Sequence, residues 1–163
     1  MARLPIAAYG EREWFKLYML DVGLLSAMCN LDIRAFYGAN NSVFTDFKGA
    51  ITEQFVLQEL KASGEKSIWY WVNGGGAAEI DFLIQYKNSI VPIEVKSSAN
   101  KSAASLRVYV EKNKPDYIIK TSLDNYGKYS NLFTIPLYMF YAFKSILQDE
   151  DGQLELFGDQ KWK

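Results

Sequence analysis

The stretch EIDFLIQYKNSIVPIEVK, residues 79–96, carries Asp81 and, thirteen residues later, Glu94 and Lys96. Side chains alternate faces along a strand, so Glu94 and Lys96 point the same way while Val91, Ile93 and Val95 fill the opposite face. In the preceding run Ile80, Phe82, Ile84 and Tyr86 are expected to share a face, leaving Asp81 on the other with Glu79, Leu83 and Gln85. A short hairpin turning at Lys87-Asn88 would bring Asp81 beside Glu94 and Lys96. Two carboxylates converging at a strand edge make a hard-oxygen site of the kind Mg²⁺ prefers, with its other positions left to water and phosphate. A neighbouring lysine would orient or deprotonate an attacking water. The competing reading is a solvated cross-strand salt-bridge cluster worth about 0.2–1 kcal/mol. Asp/Glu-x-Lys occurs at Asp46, Glu59, Glu94 and Asp159, but only Glu94 lies in an apolar strand with an acidic hairpin partner upstream.

The elements around this hairpin add a fourth residue. Residues 46–63, DFKGAITEQFVLQELKAS, read as a helix that stops before Gly64, where positive φ is tolerated. Phe47, Ala50, Val56, Leu57 and Leu60 form one stripe at helical spacing, and Glu53 falls inside it. A carboxylate there needs a cationic companion. It is either paired with a lysine at the edge of the stripe or aimed at the same site as Asp81 and Glu94.

The order of the helix with Glu53, a strand at 68–72, EIDFLI, PIEVKS and a helix with LRVYVEK resembles the PD-(D/E)XK nuclease-like fold. More closely, the chain resembles the uncharacterised C-terminal domain of prokaryotic AAA-type ATPases. The segments that carry this likeness are FKLYMLDVGLLSAM, KGAITEQFVLQEL, YWVNGGGAAEIDFLI, PIEVKSS, KPDYIIKTS and IPLYMF. The resemblance implies a restriction-endonuclease-like α/β core, with a central mixed sheet flanked by helices and a helical extension at the N-terminus. It implies Glu53, Asp81, Glu94 and Lys96 as the catalytic set. Asp81, Glu94, the backbone carbonyl of Val95 and, through water, Glu53 would hold Mg²⁺ or Mn²⁺. It also implies an ATPase module elsewhere in a longer protein, DNA as partner, and a homodimer as one option for assembly. Members of the family need not all be active, so a catalytically silent domain that binds DNA or a partner protein stays open beside the nuclease.

Three parts are expected: an extension over 1–45, the core over 46–148 and an acidic tail over 149–163. Within the first, Glu13 to Cys29 reads as an amphipathic helix, with Trp14, Leu17, Tyr18, Asp21 and Leu25 recurring at core spacing, followed by an Asn/Gly-rich connector at 38–42. Within the core, further elements are a helix over Ser102–Lys112, a strand over Asp116–Thr121, and an apolar segment over Leu132–Leu147 that Pro136 divides into a strand and a helix. Asn73-Gly74-Gly75-Gly76 reads as a turn between two strands.

Composition narrows the chemistry. The 163 residues contain no histidine and only Cys29, which excludes histidine-based triads, histidine-ligated metals, an internal disulfide and a cysteine-cluster zinc site. No Walker pattern is present, so the chain is not itself a P-loop ATPase. No signal peptide or apolar run of membrane-spanning length is visible, and a cytoplasmic protein is expected.

A net charge of −1 does not by itself argue for nucleic acid. Residues 94–120 are locally basic, however, and Lys101, Arg107, Lys112 and Lys114 are the candidate contacts to a phosphate backbone. Tyr109, Tyr117, Tyr126 and Tyr129 are candidates for base stacking or for packing. In the tail, Gln153-Leu154-Glu155-Leu156-Phe157 resembles the pentapeptide by which bacterial DNA-processing proteins dock on the sliding clamp, with Gln153, Leu154, Leu156 and Phe157 as the anchors. The same tail could instead pack on its own domain.

Overall fold

The hairpin at the centre of the molecule forms as its sequence dictates. Strand β2 (Glu79–Tyr86) turns through Lys87 and Asn88 into β3 (Ser89–Val95), with Tyr86 opposite Ser89 and Lys87 at φ 53°. A positive φ there matches the twist of the flanking strands. The computed structural model describes residues 2–11, 13–31, 45–98 and 104–150. Lys101, the connector at 38–42 and the docking residues Gln153, Leu154, Leu156 and Phe157 lie outside the described residues.

The chain runs α1 (Ile6–Tyr9), α2 (Val22–Met28), α3 (Thr45–Ala62), β1 (Trp69–Val72), β2, β3, α4 (Ala104–Asn113), β4 (Ile118–Ser122), β5 (Gly127–Tyr129), β6 (Leu132–Pro136), a 3₁₀ helix (Leu137–Ala142) and α5 (Phe143–Glu150). The strands form one mixed sheet in the order β1-β2-β3-β4-β6-β5. β1, β2 and β3 are antiparallel, β3, β4 and β6 run parallel, and β5 returns antiparallel to β6. Helix α4 supplies the crossover that a parallel β3/β4 pair requires.

Both faces of the sheet are covered. On one, Phe82, Ile84, Val91, Ile93 and Val95 pack with Val56 and Leu60 of α3 and with Phe140, Phe143 and Leu147 near the C-terminus. On the other, Ile80, Leu83 and Ile118 pack with Leu106 and Tyr109 of α4 and with Ile6. Helix α3 stops where expected, with Gly64 at φ 87°. Pro136 separates β6 from the helical turns that follow.

Three expectations are corrected. Ile80 does not share a face with Phe82 and Ile84, because β2 carries a bulge: Trp69 pairs with Leu83 and Trp71 with Ile80, so Asp81 and Phe82 together oppose Tyr70. The extra residue reverses the alternation at that point. Second, the helix expected over Glu13–Cys29 begins only at Val22, where Asp21 caps it by accepting the Leu24 N–H at 2.7 Å. Residues 15–19 form neither helix nor strand, and Trp14 and Leu17, expected in the core, are 71% and 86% exposed. Third, the apolar stripe of α3 is shorter than expected, with Ala50 exposed. No helix among the described residues is long and apolar enough to cross a membrane.

Candidate active site

The bulge in β2 ends the regular β2/β3 ladder at Phe82 and Ile93 and turns the Asp81 carboxylate toward β3. Asp81 Oδ2 accepts the backbone N–H of Val95 at 2.7 Å. On its other side the chain is held to β4, where Lys96 N–H donates to the Thr121 carbonyl at 2.8 Å. Asp81 thus meets the Glu94–Val95–Lys96 segment where β2 and β3 part.

Glu94 is 3% exposed, which corrects the solvated salt-bridge reading: its Oε1 is paired with the Lys96 ammonium inside the protein. Its Oε2 is buried without a hydrogen-bond partner among the described residues. An unmatched buried carboxylate oxygen is costly unless something cationic or protic meets it.

Glu53 reaches the same region from α3. Its Oε2 accepts the Tyr18 hydroxyl at 3.2 Å and lies 3.8 Å from Lys16 Nζ. Lys16 in turn pairs with Glu79 Oε1 and sits over the Tyr70 ring at 5.3 Å. Sequence reasoning missed Lys16 and Tyr18 as site residues by placing them on a helix. The signal was present in Asp21, a strong N-cap, and in the two-residue alternation that sets Lys16 and Tyr18 apart from exposed Phe15 and Leu17.

Backbone anchoring of this segment falls to Gln54, 1% exposed, whose amide accepts from Met19 N–H and donates to the Met19 carbonyl, both at 2.9 Å. A cleft of about 1180 Å³ runs past Lys16, Tyr18, Tyr70, Trp71 and Asp81.

The electrostatics follow from burial and crowding. Burial pushes the Asp81 carboxyl up to about 7; the Val95 N–H opposes this, Glu94 and Glu53 add to it, and Lys16 offsets part. Burial also raises Glu94, against the stabilising Lys96 and with the repulsion of Glu53 and Glu79. Burial raises Tyr18 strongly, helped by the adjacent Glu53, so its hydroxyl is a donor at any working pH. For Lys16 burial lowers the value, but Glu79, Glu53 and Asp81 together outweigh it and the net shift is upward. Glu53, Glu79, Asp81 and Glu94 therefore interact as one cluster, served by Lys16 and Lys96.

Among the described residues no group of three or more His, Cys, Asp and Glu side chains is placed to hold a metal by itself. What stands ready is the Asp81 carboxylate and the partnerless Oε2 of Glu94, both hard oxygen donors.

A family model described as "Domain of unknown function (DUF4143)" matches residues 48–140. The chain belongs to this family. Neither a curated protein nor a solved structure matches the chain. The DUF4143 span starts inside α3 and ends in the 3₁₀ helix, so it contains Glu53, Asp81, Glu94 and Lys96, whereas Lys16 and Tyr18 lie ahead of it.

The remaining expected contacts are spread more widely. Arg107, Lys112 and Lys114 are exposed on and just after α4, and Lys112 Nζ stands 5.8 Å from the Trp71 ring that lines the cleft. Tyr109 is buried and offers no face for base stacking; Tyr117 packs edge-on against Tyr86 at 5.6 Å, and Tyr126 and Tyr129 are exposed.

Proposed function

We propose that this DUF4143 chain is a PD-(D/E)XK-type domain that binds nucleic acid and hydrolyses its phosphodiesters with a divalent cation. The observation that carries the reading is the meeting of Asp81 with the Glu94–Val95–Lys96 segment, with Glu94 Oε2 buried and without a partner among the described residues. With every group ionised, four carboxylates face two ammonium groups, an excess of two negative charges that one divalent cation would neutralise. The donor chemistry fits Mg²⁺ or Mn²⁺, which take oxygen ligands and retain water.

Asp81, Glu94 and the backbone carbonyl of Val95 would hold the ion, and Glu53 would reach it through water. When bound, it would supply Lewis-acid stabilisation of charge on the phosphate and a more acidic water. Lys96, 22% exposed, would hold that water or a phosphate oxygen in place with its ammonium while still countering Glu94. Asp81, tied to Val95 N–H, would keep one oxygen facing the site. Arg107, Lys112 and Lys114 would contact the phosphate backbone, with Lys101 as a further candidate. The family resemblance also supports an attached ATPase module in a longer chain and a dimer for duplex cutting, while the separate likeness of the tail pentapeptide supports clamp docking through Gln153, Leu154, Leu156 and Phe157. Loss of clamp binding on Phe157→Ala would support the last of these.

A second reading, a catalytically silent domain that docks a partner protein, draws on a different observation. Trp14, Phe15, Leu17 and Leu20 are all more than two-thirds exposed along one short segment, an apolar strip of the kind that marks interaction surfaces. One experiment separates the two. Cleavage of end-labelled single-stranded, duplex and branched DNA is followed with Mg²⁺ or Mn²⁺ at low salt, comparing wild type with Asp81→Ala and Lys96→Ala. Metal-dependent cutting lost in both variants supports the nuclease. No cutting by any protein, with DNA binding unchanged by the substitutions, supports the silent domain.

A further inference from the structure

The chain brings a cation of its own to the candidate site. Lys16 Nζ pairs with Glu79, lies 3.8 Å from Glu53 Oε2 and interacts electrostatically with Asp81. Two of the four clustered carboxylates therefore share one ammonium, Asp81 lines the same cleft, and Lys96 serves Glu94. A monovalent group so placed repels an incoming divalent cation and takes up the negative charge that would attract it.

The chain on either side of Lys16 is lightly held, as far as Tyr18, which packs on Phe82. Phe15 and Leu17 are 77% and 86% exposed, so moving them removes little apolar burial. Next to them, Met19 is pinned through both its backbone groups to Gln54, which fixes one end of the segment.

We infer that Lys16 is a positioning residue that sets the cation affinity of the site by competition: its ammonium lies between Glu53 and Glu79 in the cleft that Asp81 also lines, and must yield when a divalent cation binds. This rests on the proposed metal-binding reading and deepens it. Lys16 offsets part of the negative charge of these carboxylates until the cation arrives.

The test is calorimetric titration of Mn²⁺ alone into wild type, Lys16→Met, Lys16→Gln, Lys16→Arg and Asp81→Asn, with melting temperatures recorded without metal to establish folding. Lys16→Met and Lys16→Gln are expected to bind Mn²⁺ about tenfold tighter or more, since a repelling charge is gone. Lys16→Arg keeps the charge and should bind like wild type, and Asp81→Asn should lose binding. If Lys16→Met and Lys16→Gln match wild type while Asp81→Asn loses binding, the competition is wrong and the site reading stands. Tighter binding in Lys16→Arg as well would replace competition with mere loosening of the segment and overturn the inference. No Mn²⁺ binding by any of the five proteins would overturn both.

Discussion

Val95 donates its backbone N–H to Asp81 Oδ2 at 2.7 Å, tying the bulge of β2 to the last residue of β3. That one bond sets the position of a carboxyl raised to about 7, a shift caused first by burial and then by the repulsion of Glu94 and Glu53.

A stability difference with a definite sign follows from that shift. Between the ordinary carboxyl value of 3.8 and about 7 the folded protein keeps a proton that the unfolded chain has released. Stability from this group is therefore full below the lower value and lost as pH rises through the upper one. Asp81→Asn keeps an acceptor for Val95 N–H but cannot ionise. In the presence of a chelator, its melting temperature relative to wild type should be higher at pH 8 than at pH 5. An equal difference at both pH values would mean that Asp81 titrates like a solvated carboxylate.

The Glu94–Lys96 pair makes a second prediction. Glu94 is buried and Lys96 is its one cationic hydrogen-bond partner among the described residues. Lys96→Met should cost about 2–3 kcal/mol in urea unfolding near neutral pH, less than a fully buried pair because Lys96 is partly exposed. Glu94→Gln combined with Lys96→Met should recover most of that loss, since no buried charge is then left alone. Equal losses in the single and double variants would show that the pair contributes through packing.

The reach of sequence reasoning can be judged from these same residues. The hairpin was legible because Lys87-Asn88 and the alternation of Val91, Ile93 and Val95 are local signals, and so was the end of α3 at Gly64. The faces of β2 were not legible at Ile80, because a bulge depends on how Trp69 and Trp71 pair across the sheet, which no local pattern encodes. Lys16 and Tyr18 were misplaced because Trp14, Leu17, Tyr18, Asp21 and Leu25 mimic helical spacing. The helix gives way to an irregular segment through a tertiary contact, the Gln54 amide on Met19, together with the cap at Asp21. Glu53 was found by its place in an apolar stripe, yet its partners came from a segment thirty-five residues away.

Gln54 is the third test, because its side chain serves backbone groups that no helix or strand satisfies. It is 1% exposed and satisfies both backbone groups of Met19. Gln54→Leu keeps the volume and removes both bonds, leaving two main-chain groups unmatched, at a cost of about 1–3 kcal/mol. Hydrogen exchange at the Met19 amide should become faster by more than the global stability loss accounts for. Unchanged relative protection of that amide would mean that another contact holds the segment.

Gly10 supplies the last prediction, at the point where the N-terminal segment crosses β1. A Cβ built on Gly10 would come within 1.9 Å of Cζ3 of Trp69 and 2.4 Å of its Cη2, so the backbone there lies flat on the indole ring. Trp69 packs with the cluster around Ile80 and Leu83 and cannot retreat freely. Gly10→Ala should therefore lift the segment rather than move the ring, at a cost of about 1–3 kcal/mol for the overpacked contact. Lifting it would wet the indole and displace the chain leading to Lys16, so the tryptophan emission should shift to the red, and Lys16 should lose part of its hold on Glu79 and Glu53. Mn²⁺ affinity should then rise in Gly10→Ala in the same direction as in Lys16→Met, through a residue that carries no charge. A red shift without any change in Mn²⁺ affinity would show that the crossing at Gly10 and the placement of Lys16 are independent.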